Sequence, residues 1–171
     1  MSRLRKFAAY QGLERPYTRI SKFTKKNYVR GGFPAIKITK FDMGSPRKEY
    51  DAKLCLVSCR SMNIRHNAIE AARMTSNRVL EKGLGADYHL RVKMYPFPVL
   101  RENPLASGAG ADRMSTGMQM AYGKPIGAAA RVFEGQALFE LKLKKEHLKT
   151  GREALNRAAK KLPCSCKIVA M

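Results

Sequence analysis

The residues with the most evident chemical potential lie between Ser107 and Pro125, in the stretch SGAGADRMSTGMQMAYGKP. Gly108-Ala-Gly110 opens like a G-x-G-x-x-G turn, in which glycines let backbone amides approach a pyrophosphate. Arg113 stands where the third glycine belongs, however, and no helix-opening pattern follows. Gly123-Lys124 ends like a Walker loop, but Gly117 lies one residue too far upstream and Pro125 replaces the hydroxyl side chain that holds magnesium. Hydrolysis needs paired carboxylates, or a nucleophile beside a base. Asp112 is the only acid in the stretch, and His66, His89 and His147 are all distant in sequence. His66 and His89 read as surface polarity on a helix and a strand. The residues of the segment therefore argue against a nucleotide cradle and against a catalytic loop.

The cysteines carry no clearer message. Cys55-x3-Cys59 and Cys164-x-Cys166 both miss the two-residue spacing of zinc ribbons. They read as reduced thiols on strands, with no metal and no cofactor called for. What the glycine-rich stretch does offer is permissive backbone, adaptable methionines (Met114, Met118, Met120) and two cations, Arg113 and Lys124. Loops longer than ~12–15 residues are usually functional or disordered, so a flexible loop is expected over about 104–125. Met114 and Met118, at i and i+4, leave one short helical turn open as an alternative.

The elements that must position this loop follow from periodicity. Ile36 and Ile38 alternate with Lys37 and Thr39, and Lys53–Cys59 is a nearly continuous apolar run; both predict strands. Asn63 is the predicted cap of a helix whose inner face carries Ile64, Ala68, Ala71, Thr75 and Val79, with Ala72 beside them, and which stops at Gly83. Arg65, Arg73 and Arg78 project from its other faces. His89–Tyr95 alternates cleanly and Pro96 and Pro98 end it. Ala130–Phe133 and Gln136–Leu143 resume strand character. A second helix buries Leu148, Leu155, Ala159 and Leu162, is weakened by Gly151, and stops at Pro163 before a strand over Ser165–Ala170. A β-α-β order thus occurs twice, at 53–95 and 136–170, which predicts an α+β domain.

Charge identifies the partner class. Lys and Arg outnumber Asp and Glu 34 to 13, for a formal net charge of +21, which invites a polyanion. No apolar run approaches a membrane span, and the basic N-terminus lacks the apolar stretch of a signal peptide. Nucleic acid is favoured. Residues 1–34 hold Arg3, Arg5, Lys6, Arg15, Arg19, Lys22, Lys25, Lys26 and Arg30 against Glu14 alone, with Tyr10, Tyr17 and other rings between them. This segment reads as an extension whose cations meet phosphates and whose rings stack on bases.

Read together, EAARMTSNRVLEKGLG (70–85), LRVKMYPFPVLREN (90–103), GAGADRMSTGM (108–118) and YGKPIGAAARVFEGQ (122–136) resemble a universal large-subunit ribosomal protein family, with RPYTR (15–19) and FDMG (41–44) upstream. That family is called L-sixteen in bacteria and L-ten-e in archaea, and the archaeal form is the better match. The resemblance implies a hammerhead-type α+β fold with a mixed or antiparallel sheet, two helices packed on it, a basic N-terminal extension (1–34) and a single domain (35–171). It implies a structural, cytoplasmic component of the large ribosomal subunit, not an enzyme. Its partners would be large-subunit rRNA near the central protuberance, neighbouring ribosomal proteins and the acceptor and elbow regions of tRNA, with no membrane and no small-molecule substrate. The rRNA-binding residues expected are Arg3, Arg5, Lys6, Arg15, Tyr17, Arg19, Lys22, Lys25, Lys26, Arg30, Arg65, Arg73 and Arg78. The tRNA-proximal loop expected comprises Gly108, Gly110, Asp112, Arg113, Met114, Gly117, Met118, Gly123 and Lys124. An RNA-modifying or RNA-cleaving enzyme of pre-ribosomes, with Asp112 as its test residue, is the alternative from another class.

Overall fold

A computed structural model of the chain describes residues 5–13, 29, 32–103, 108–114, 117–118 and 122–170. Its strands are β1 (Asp42–Gly44), β2 (Ala52–Ser58), β3 (Met62–Arg65), β4 (His89–Val92), β5 (Val99–Glu102), β6 (Lys124–Val132), β7 (Ala137–Leu143) and β8 (Cys166–Ala170). The helices are α1 (His66–Leu84), the single turn α2 (Ala111–Met114) and α3 (Leu148–Ala159). Every strand pairing is antiparallel, and the strands divide between two sheets, one ordered β1-β4-β7-β2-β8 and the other β3-β6-β5.

The two β-α-β units are interleaved. β2 and β4, joined through β3 and α1, flank β7; β7 and β8, joined through α3, flank β2. Each unit is thus a split β-α-β whose gap is filled by a strand of the other. Rows of side chains from both units meet beneath the helices. Leu54, Leu141 and Leu90 form one row, and Leu56, Phe139 and Val92 the next. All but Val92 are wholly buried, and Val92 nearly so.

Helix α3 lies against this core through a glycine. A Cβ on Gly151 would come within 2.5 Å of Leu143 Cδ2 and 3.1 Å of Leu54 Cδ1. The residue that weakens the helix by propensity is therefore what lets its axis approach the sheet. Gly83 does the same between helices. It lies inside α1 rather than stopping it, 3.0 Å by its Cβ position from Thr150 Cγ2 on α3, and Gly85 forms the actual end, donating its N–H to Glu81.

Further sequence expectations are corrected. Asn63 does not cap α1: it lies in β3, its backbone N–H pairs with the Gln11 carbonyl, and its amide donates to Gly12. A tertiary partner has outcompeted local capping, so the helix begins at His66. Its buried face is His66, Ile69, Ala72, Ser76 and Leu80, one position round from the predicted stripe. Ala35–Thr39 keeps its burial alternation but forms no strand; the Lys37 N–H donates to His66 Nδ1 at 3.2 Å. Strand β6 begins six residues before Ala130. Pro125 and Gly127 had disguised it, and Pro125 is tolerated because the register shifts there, with Arg101 opposite Pro125 and Leu100 opposite Gly127.

Candidate nucleic-acid interface

The glycine-rich stretch is the connection of a hairpin. β5 and β6 pair antiparallel, ending with Glu102 opposite Lys124, so the chain leaves and re-enters the small sheet at one end. The root is tied several times. The Arg101 guanidinium donates to the Tyr122 carbonyl. Met118 folds over Gly123, where a Cβ would meet its Cε at 2.7 Å. Gly123 has φ +100, and Gly108 and Gly110 have φ +134 and +83, conformations that side chains resist. Within the loop, Ala111–Met114 makes one helical turn, reached by Ala111 N–H to Gly108 O at 3.2 Å. Asp112, Arg113, Gly117, Met118 and Lys124 are exposed.

The N-terminal segment meets the loop at this root. Arg5 donates to the Glu102 carboxylate at 2.6 Å, and that bond raises the arginine's pKa further. Tyr10 donates to the Arg101 carbonyl at 3.3 Å. Arg65 lies under the segment, buried, donating to the Arg5 carbonyl at 2.7 Å with its guanidinium 5.0 Å from the Tyr10 ring centroid. Arg131 reaches the Leu13 carbonyl at 3.3 Å. Residues 5–13 thus run across the small sheet from β5 to β3, and two predicted groups that are a hundred residues apart in sequence converge.

The predicted arginines differ in availability. Arg65 is on β3 rather than the helix and is spent internally. Arg73 forms a two-pronged pair with Glu70 at 2.5 and 2.8 Å and touches Met43 sulfur. Arg78 and Lys6 are exposed and make no ion pair among the described residues. Arg3, Arg15, Tyr17, Arg19, Lys22, Lys25, Lys26 and Arg30 lie outside the described residues.

Both central histidines prove buried, not surface polar groups. His89 sits 3.0 Å from Asp42 because β1 pairs edge to edge with β4. His66 is packed against Gly127; burial, then the charge of Lys37, lowers its pKa. The four cysteines are free, with Cys164 and Cys166 sulfurs 3.5 Å apart. The Cys166 hydrogen bond holds the Cys164 thiol down at about 6.

One cluster escaped the sequence reading. On the five-stranded sheet, the Glu140 carboxylate gathers Lys53 and Lys93 at 3.4 Å and Lys142 at 3.9 Å, while Arg91 lies 3.6 Å from Asp42. Burial pushes the Glu140 carboxyl up, but Lys53 and Lys93 outweigh it and hold it below the ordinary glutamate range. Three ammoniums on one carboxylate leave a net positive patch held in place. The signal was present as alternation: HLRVK and LFELKL put these charges on one strand face, but register alone brings the three strands together.

A cationic patch on the five-stranded sheet, a cation-rich N-terminal sequence and a hairpin loop suit a protein that lies on a polyanion, with an α+β frame. The chain belongs to the family described as Ribosomal protein L16p/L10e, whose model matches residues 18–169. It is similar to the "Large ribosomal subunit protein uL16" of Staphylothermus marinus, at 46% identity over 91% of this chain and 90% of that one. The protein of the same description from Hyperthermus butylicus is 47% identical over 85% of this chain and 81% of its own. That of Archaeoglobus fulgidus is 42% identical over 94% and 88%. The chain is therefore a large-subunit ribosomal protein of archaeal type, a structural constituent that partners large-subunit rRNA and other ribosomal proteins. The alternative of an RNA-modifying or RNA-cleaving enzyme falls with that assignment.

Proposed function

We propose that this protein anchors on large-subunit rRNA near the central protuberance and directs its 104–125 loop toward the tRNAs near the peptidyl-transferase region, so completing the subunit late in assembly. The observation that carries this reading is the loop root, where Arg5, Glu102, Arg101 and Tyr122 join the N-terminal segment to both ends of the hairpin. A loop tied there is aimed by whatever the N-terminal cations grip. In this reading the basic residues of 1–34, with Lys6 and Arg78, neutralise phosphates. Arg113 and Lys124 make the loop's own RNA contacts, around glycines that allow close backbone approach. Arg65 and Arg73 act one step back, holding the N-terminal segment and α1.

Each phosphate neutralised lowers the slope of log affinity against log salt by roughly 0.7–0.9, so assembly should weaken steeply with salt. The test is photocrosslinking from positions 113 and 118 in assembled ribosomes. Crosslinks to tRNA or to rRNA lining the tRNA path are expected. Crosslinks only to rRNA remote from tRNA would overturn the loop assignment, and a salt-independent association would overturn the anchoring.

A further inference from the structure

Three rings form a stack that ends in solvent. Phe41 and Tyr95 lie 5.4 Å apart between centroids at an interplanar angle of 24°, and Tyr95 and Phe97 lie 4.5 Å apart at 49°. Tyr95 is 44% exposed and Phe97 69%. They open on a cleft of about 260 Å³ lined by Phe33, Pro34 and Ile36 from one segment and Tyr95, Phe97 and Val99 from another. That volume is below the ~300–1,000 Å³ of sites for drug-sized ligands and suits one planar ring system. The rings are held ready: Pro96 and Pro98 fix φ on either side of Phe97, and the Phe97 N–H donates to the Tyr95 carbonyl at 3.0 Å. Little entropy remains to be lost when something stacks on them.

A cation shares the exposed face of these rings: Lys93, Tyr95 and Phe97 are exposed and alternate with buried Met94 and Pro96. Glu140 neutralises Lys93 only in part, because it shares its single charge with Lys53 and Lys142. Flat apolar faces beside an ammonium, on a chain of net charge +21, match a nucleotide: a base for the rings and a phosphate for the lysine. A proline-rich peptide would also find aromatic walls here, but would leave that cation unmatched. We propose that Phe97 and Tyr95 receive one unpaired base of large-subunit rRNA, with Lys93 on the adjoining phosphate. The proposal rests on the rRNA-anchoring function above and assigns it a base-stacking subsite.

The test uses the full chain and large-subunit particles lacking it. Phe97→Leu keeps an apolar side chain but removes the π face; stacking is worth ~1–3 kcal/mol per base, so affinity should fall about 5- to 150-fold. The salt slope should not change, because stacking displaces no counterion, and Phe97→Trp should bind like the parent. With p-benzoylphenylalanine at position 97, the expected crosslink is to an rRNA base. If the parent binds in a salt-dependent way while Phe97→Leu binds equally well, or if the crosslink goes to a protein, this subsite is wrong and the anchoring function stands. If the parent shows no salt-dependent binding, the anchoring function fails and takes the subsite with it.

Discussion

Replacing Glu140 by Gln should make the protein less stable alone and bind RNA more tightly. The substitution keeps the shape and removes one charge from among Lys53, Lys93 and Lys142. At separations of 3.4–3.9 Å and an effective dielectric near 20, each attraction is about 4–5 kcal/mol gross. The lysines are 38–44% exposed, so water screens most of this, and pairs of that kind measure ~0.2–1 kcal/mol each. Three of them lost together, with the lysines left to repel, come to about 1–3 kcal/mol. In a domain of this size that lowers the melting temperature by about 2–12 °C. The patch meanwhile goes from two net charges to three, so the salt slope of rRNA association should steepen by up to ~0.9. Acid provides a second check. The Glu140 pKa is depressed in the folded protein, so its contribution is present above the ordinary glutamate range and lost as pH falls through the folded value. Parent and variant should converge there. Scanning calorimetry from pH 7 to pH 3 and particle binding at several salt concentrations measure both effects. Equal melting temperatures near neutrality would refute the organising role of Glu140, and an unchanged salt slope would refute contact between this patch and phosphate.

Other substitutions separate framework from surface. Gly44→Ala should cost about 2–5 kcal/mol, since φ is +85 and the new Cβ would lie 2.0 Å from the Tyr88 carbonyl oxygen; a chemical denaturation curve coinciding with the parent's would contradict the β1 geometry. His66 has a lowered pKa and accepts the Lys37 N–H, so its contribution is full above pH ~6.5, the unfolded value, and is lost as pH falls toward the folded one. His66→Gln should flatten the stability profile between pH 7 and pH 5, as followed by thermal melts. Arg78→Gln should reduce the salt slope of rRNA binding by roughly 0.7–0.9. Arg73→Gln should lower stability while leaving that slope unchanged, because Glu70 already holds its charge; equal slope changes in the two would erase the distinction.

Much of this protein is written locally. The charge imbalance names a polyanion as partner, and the apolar runs of KLCLVSC and ALFELKL mark strands that share a buried row. The motifs from Glu70 to Gln136 carry the family, and the near-miss glycines argue against a nucleotide cradle. These features depend on composition or on neighbours within a few residues, which is why they can be read in order along the chain. Where long-range partners compete, the local signals mislead. Asn63 has every local reason to cap a helix, yet Gln11 and Gly12 draw it into a strand. Gly151 looks like a flaw until Leu143 and Leu54 are seen beneath it. The surface that meets RNA belongs to the same category. Arg65, Arg73 and Arg78 are equivalent as letters, and only their surroundings make one available and two engaged. Likewise Lys53, Lys93 and Lys142 become a single patch only because β7 inserts between β2 and β4. Sequence by itself decided what kind of partner this protein has and which segments form its frame. Tertiary structure decided which charges remain free for that partner, because an ion pair depends on where a side chain lies in space.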